Sequence, residues 1–445
     1  MAKRSLGWAL EKGRLLCIAV FVDVCAAQLN LTCPDYVARH APLLSLHPEE
    51  PYMPSDILTH IQRTTPKLNH EAIPDPLPPL DLDNLEILNR FGEQVALTSI
   101  DDPTTYPPWL LGERPDSDGR TRNATPCVVI VVEKGDSVLD AFYFYFYSYN
   151  EGPNITQVLE PLNGIIDGGR NFDRSKHFGN HIGDWEHNMI RFRDGEPVGI
   201  FYSQHRDGAA FDWDDQSISK SGGRPIAYSA LGSHAMYPTR GDQVHDYAII
   251  DYCDDGPTWD PVLSAYFYHF DPPTFTLTQL TPPSGLHSSP PPPPSNLTSF
   301  FYYLGNWGDT QYPDSDPRQA TVPYFGLKRF ETGPNGPRYK HLVRKGLMRD
   351  HPRKLAWIEW AVGVYMAWYP CCLRGWRVWV FLGLVLAAVV GTAIGLWIGI
   401  RRWIGGLKAR AKARTEEIPL DDFASEEQGL LSSFDEDTER NTRGE

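Results

Sequence analysis

The chain has 445 residues, 41% hydrophobic and 12% aromatic, room for one large core or two ordinary ones with appendages. A formal net charge of −15 argues against a nucleic-acid partner, which needs a broad basic face against phosphate. Thirty-nine prolines and 37 glycines favour a turn-rich, mainly β domain over a helical bundle.

Along the chain, residues 1–27 have the order of a secretory signal. Lys3, Arg4, Lys12 and Arg14 precede the apolar run Leu15–Val22, and the small residues Cys25, Ala26 and Ala27 follow. Asp23 interrupts the pattern, and an uncleaved anchor is the alternative. Residues 28–84, rich in Pro, Leu and polar side chains with little periodicity, are expected to be an extension draped on the domain. Residues 85–335 form its body. Cys127–Glu133 and Ala141–Ser148 are runs of β-branched and aromatic residues that predict strands. In the second, Phe142, Phe144 and Phe146 are expected to face the core and Tyr143, Tyr145 and Tyr147 the other side. Asp184–Arg193 and Val198–His205 predict a hairpin around Asp194-Gly195-Glu196-Pro197. Shorter strands are expected over Arg224–Ala230, Tyr247–Asp251 and Phe275–Leu280. The proline tract Ser288–Ser295 cannot join a sheet interior and predicts an extended surface loop.

Residues 336–377 form a basic, juxtamembrane segment, in which Leu355–Tyr369 predicts an interfacial helix carrying Trp357, Trp360 and Trp368. Val378–Ile400 is 23 residues without a charge, long enough to cross a ~30 Å hydrocarbon core as one transmembrane helix. Arg401, Arg402, Lys408, Arg410, Lys412 and Arg414 follow, which puts the C-terminal side in the cytosol and the β domain in the lumen. The tail, residues 401–445, then turns acidic, and its last part is expected to be disordered. Sequons at Asn30, Asn123, Asn154 and Asn296 all precede the span, as lumenal glycosylation requires. In that oxidising compartment two of Cys33, Cys127 and Cys253 have the option of pairing, leaving one over.

The densest polar stretch begins at Asn180. Strand geometry puts Asp184 and Glu186 on one face and Trp185, His187 and Met189 on the other. If Asp194 pairs with Pro197, Glu186 lies opposite His205; a slip of one residue changes that. His234 follows in Gly232–Pro238. Asp184, Glu186, His205 and His234 are the residue types that bind a divalent metal able to activate water. With His187 they also suit metal-free acid–base work. The bland reading is that they satisfy one another as buried hydrogen-bonding groups. In the tail, Glu426 four residues ahead of Leu430 and Leu431 matches an acidic dileucine sorting signal, which a clathrin adaptor reads in an unfolded chain.

At Gly183–His187, Ser203–His205 and Gly232–Pro238 the sequence resembles the vacuolar protein sorting-associated protein 62 family, found in fungi with plant relatives. The resemblance implies a role in delivering proteins to the vacuole, including cytoplasm-to-vacuole targeting. It brings across no residue with an assigned catalytic role. The expected molecule is therefore a mainly β, two-sheet sandwich on one membrane helix, in the vacuole or endosome. It acts on an unknown lumenal ligand or cargo by binding, with a metal-dependent lumenal hydrolase as the alternative.

Overall fold

A computed structural model describes residues 32–73, 77–154, 176–205, 207–245, 249–284, 286, 297–322, 326–348 and 376–416. They fall into two units, one up to Cys372 and one from Leu373 onward.

The first unit is built on a seven-stranded sheet. Its spatial order is β17 (Thr276–Leu280), β16 (Ala265–Asp271), β5 (Cys127–Glu133), β6 (Val138–Asn150), β7 (His181–Arg193), β8 (Glu196–Gln204) and β9 (Asp207–Asp212). Only the β16–β5 pair is parallel. The strand expected over Cys127–Glu133 has those bounds, because a run of five Val and Ile residues suits a pleated surface buried on both sides.

β6 has its expected alternation, but both of its faces are buried. Phe142, Phe144 and Phe146 enter one core and Tyr143, Tyr145 and Tyr147 another. Tyrosine tolerates this where its hydroxyl finds a partner. Tyr143 donates to the Val37 carbonyl at 2.7 Å and Tyr145 to Asn188 Oδ1 at 3.0 Å.

The tyrosine face is covered by a five-stranded sheet. β10 (Lys220–Ser221), β11 (Arg224–Ser229), β1 (Leu43–Leu46) and β15 (Thr258–Trp259) lie in that order, and β12 (Met236–Tyr237) also pairs with β11. The phenylalanine face is covered by a three-stranded sheet of β3 (Glu71–Ala72), β2 (Thr64–Leu68) and β4 (Val95–Ser99), and by short helices. Among these are α2 (Ile57–Gln62), which follows α1 (Asp35–Arg39), and α3 (Ser299–Tyr302). Asp56 caps α2 by accepting from the Thr59 amide at 2.7 Å. β13 (Gly241–His245) and β14 (Ile249–Cys253) form a separate hairpin. The described residues thus make a mainly β unit of four sheets, and the expected sandwich is one half of a three-layer arrangement.

Four expectations are corrected. Residues 32–73 are no drape: β1 lies between β11 and β15, and Leu44 and Leu46 are fully buried. A four-residue strand between prolines is too short to reveal a period. The boundary at 335 also moves, since Leu342 and Arg344 are buried in the same unit. The β7–β8 hairpin turns at Asp194-Gly195, both at positive φ, so that Arg193 rather than Asp194 starts the pairing, opposite Glu196. A bulge at Val198 then brings Asn188 opposite Tyr202, one residue from the expected register. Finally, Cys33, Cys127 and Cys253 are buried free thiols. They pack as small apolar groups, and burial pushes the Cys33 thiol up to about 12.

In the second unit α4 (Trp376–Glu416) is a 41-residue helix. It carries the one segment among the described residues long and apolar enough to cross a membrane. It extends beyond the apolar stretch through Arg401–Arg414, where Leu407–Arg414 are strong helix formers that carry it past Gly405 and Gly406. The proline tract, the Leu355–Tyr369 segment, Asn30, Asn296, Glu426, Leu430 and Leu431 lie outside the described residues.

Candidate functional site

The register of β6 with β7 sets Tyr147 against Asp184 and Tyr145 against Glu186, so both carboxylates face the five-stranded sheet. The loop after β11 delivers His234 to them. Glycines make both approaches possible. Gly183 sits at φ +69, where a Cβ would stand 2.2 Å from the Trp307 carbonyl oxygen. Gly232 sits at φ +74 against the backbone of Glu151.

His234 is fully buried at φ +56, its ring stacked on Tyr147 with centroids 3.7 Å apart. Its Nδ1 donates to Asp184 Oδ2 at 3.0 Å, and its Nε2 lies 3.2 Å from the Tyr52 carbonyl and 3.7 Å from Glu50 Oε1. Burial alone would pull this imidazole down. The Glu50 charge and the hydrogen bond to Asp184 overcome that and raise it to about 10. Burial works against the Asp184 carboxylate as well, but the His234 hydrogen bond and nearby imidazole charges hold it below the usual range. Asn150 Nδ2 donates to the same carboxylate at 3.2 Å.

Glu50 is fixed in turn by the amides of Tyr52 at 2.9 Å and Gly232 at 2.7 Å. One histidinium therefore clamps the N-terminal segment, β7 and the loop after β11 together.

A second pair lies beside the first. His205, just past β8 at φ +51, donates from Nε2 to Asp251 Oδ2 at 2.7 Å. Asp251 also accepts from Tyr237 at 2.7 Å and Ser233 at 2.9 Å. Burial again opposes the charged imidazole, and the Asp251 charge raises it to about 9. The His205 side chain is 28% exposed, the open end of an otherwise closed network. Glu186 receives the Ser203 hydroxyl, while burial first and the Asp184 charge second lift its carboxyl to about 7.

The structure thus brings Asp184, Glu186, His205 and His234 to one region. His187 is on the opposite face of the sheet, stacked near Phe144, and its Nε2 accepts from Arg344 Nη2 at 2.9 Å. Among the described residues no three His, Cys, Asp or Glu side chains converge as a metal-binding set. Asn123 is exposed, and Asn154 is buried in a bridge with His177. The sequence reading missed Glu50 and Asp251. Glu50 meets its partner 182 residues away in a stretch without periodicity, and Asp251 reads in the sequence only as the end of a strand.

The vacuolar protein sorting-associated protein 62 family model matches residues 157–251, which contain the three sequence blocks that build this network. The Saccharomyces cerevisiae protein TDA6, named for vacuolar protein sorting, is 34% identical over 71% of this chain and 68% of its own. The vacuolar protein sorting-associated protein 62 of the same yeast is 31% identical over 71% of this chain and 67% of its own. The chain belongs to the vacuolar protein sorting-associated protein 62 family. Asp184 and both histidines, all within the family segment, are linked by hydrogen bonds through Ser233, Asp251 and Asn150, with Glu186 beside them on Ser203. Among solved structures, a non-toxic protein called HaNLP3 is similar at 11% identity with a TM-score of 0.25, over 55% of this chain and 80% of that one. A likeness at that score carries no argument.

Proposed function

We propose that this protein serves protein sorting to the vacuole as a single-pass membrane glycoprotein whose β domain is lumenal and acts by binding. The observation that carries the proposal is the family relationship, which spans 71% of the chain and joins it to relatives named for vacuolar protein sorting. The apolar stretch of α4, the basic residues after it and the sequons at Asn30, Asn123 and Asn296 before it support the orientation. The histidine–carboxylate network supports binding over chemistry, because its groups are directed at one another. In a deletion strain, vacuolar hydrolases should be missorted or secreted; their normal delivery would sink the proposal. Leu430→Ala with Leu431→Ala should redirect the protein to the cell surface if an adaptor reads the tail.

The second reading is a metal-dependent lumenal hydrolase. Glu186 favours it, since a carboxyl lifted to about 7 is matched to proton transfer near neutrality. Here Glu186→Gln should abolish complementation of the deletion while the protein remains folded. Full complementation would leave only the binding role.

A further inference from the structure

The two margins of the seven-stranded sheet are finished differently. At β17 the outer edge is closed by the chain itself. The Leu277 amide donates to the Tyr302 hydroxyl at 2.7 Å. The Thr281 carbonyl, next after the strand, accepts from the Cys33 amide at 2.9 Å. At the other margin β9 has no such cover. The Trp213 amide donates to the Val198 carbonyl at 3.1 Å, and in the same register Ile200 pairs with Phe211 and Tyr202 with Ala209. Antiparallel alternation then turns the backbone groups of Phe211 and Ala209 toward β8, and those of Gly208, Ala210 and Asp212 outward. The Asp212 carbonyl is taken up by a turn, accepting from the Asp215 amide at 3.0 Å. Among the described residues nothing pairs with the outward amide and carbonyl of Gly208 or Ala210.

The side chains leave room for a neighbour. Gly208, Ala209 and Ala210 are small and half-buried. Gly208 cannot be larger, because a Cβ there would stand 2.3 Å from the Phe201 ring. Phe211 and Ala210 carry the two cores out to this margin, one on each face. The charge is one-sided. Asp207, Asp212, Asp214 and Asp215 are exposed, and residues 207–215 hold no Lys, Arg or His. Nearby Lys220 is held over the Trp213 ring at 4.5 Å and donates to the Trp213 carbonyl.

We propose that the outer edge of β9 takes up an extended segment of a second protein as an added strand, one with basic residues flanking an uncharged centre. The proposal rests on the reading that this domain acts by binding, and supplies the mode. Open main-chain donors and acceptors give affinity for any extended backbone, while Asp207 and Asp212 at the two ends of the strand select lysine or arginine. A second copy of this chain is the poorer occupant, since it brings the same acids to the edge and a net charge of −15.

The test titrates a fluorescently labelled peptide, alternating Val and Thr between terminal lysines, into the detergent-solubilised full chain. Saturable binding is expected, weakening as salt screens the aspartates. N-methylation of the central peptide amides keeps the charge and removes the ladder, and should cost roughly tenfold or more in affinity. Ala210→Pro should cost as much, because the ring blocks the outward amide and takes no hydrogen bond from β8. Should that variant misfold, Asp207→Lys with Asp212→Lys, both on the surface, should reject this peptide and accept one with terminal glutamates. A chain that does not bind the lysine peptide, or binds it equally after N-methylation, would overturn the edge and leave a binding role elsewhere on the domain intact. Normal vacuolar delivery in the deletion strain would instead sink that role, whatever the peptide does. A dimer abolished by Ala210→Pro would assign the edge to a second copy and overturn the proposal.

Discussion

The two faces of β7 meet their surroundings differently. On one, Trp185 and Met189 join an apolar core, and His187 meets the buried guanidinium of Arg344. On the other, Asp184 and Glu186 enter a polar assembly with His234, His205, Glu50 and Asp251. Adjacent residues in one strand thus serve an aromatic core and an ionic lock. An apolar core specifies shape loosely, whereas a buried ionic group tolerates only the partner that compensates it.

The sharpest way to break the comparison is pH. The raised imidazoles stabilise the fold fully below their unfolded value of 6.5, and that stability is lost as pH climbs through about 9 for His205 and about 10 for His234. Glu186 adds a milder decline between its unfolded 4.5 and about 7. Asp184 and Asp251 act in the opposite sense, holding above 3.8 and failing as acid protonates them. Denaturant midpoints of the detergent-solubilised chain should therefore peak in mild acid, fall most steeply between about pH 6.5 and 9, and level off above about 10. A flat profile to pH 10.5 would show that the ionic face does not govern stability.

Next in size, Asp184→Ala strands the His234 cation and should cost about 3–5 kcal/mol in the same assay. A loss below 1 kcal/mol would mean that the clamp relaxes without it. Gly183→Ala forces a side chain into left-handed backbone against the Trp307 carbonyl and should cost about 1–3 kcal/mol. On the apolar face, Arg344→Met keeps volume between Phe142 and Phe201 but gives up its hydrogen bonds to carbonyls, for about 1–2 kcal/mol. A larger loss there than for Asp184→Ala would reverse the comparison. The smallest effect, about 1 kcal/mol, is expected for Gly195→Ala in the β7–β8 turn.

Local patterns made part of this legible. The Val and Ile run gave β5, ring alternation gave the two faces of β6, and period-two geometry separated Asp184 and Glu186 from His187. Features set by the third dimension stayed hidden. The bulge at Val198 lies between Pro197 and Gly199, which mark an irregularity there but not the register that results. Burial of the tyrosine face depends on β1, whose four residues carry no period. Glu50 reads as a solvated acid beside Glu49 and Pro51, and only its distant partners reveal it as half of a clamp. The buried Arg344 sits in a basic run that composition assigns to the membrane approach.

The interior position of β1 bears on how the molecule is made. Its partners come late in synthesis: Arg224 reaches the Ala41 carbonyl across 183 residues, and the Gly232 amide reaches Glu50 across 182. At translation rates of roughly 5–20 residues per second, the first strand waits on the order of 10–40 s for the strands that flank it. During that wait Leu44 and Leu46 are unshielded and Glu50 lacks its cation. Newly made copies are therefore expected to be most vulnerable to aggregation until β11 has emerged.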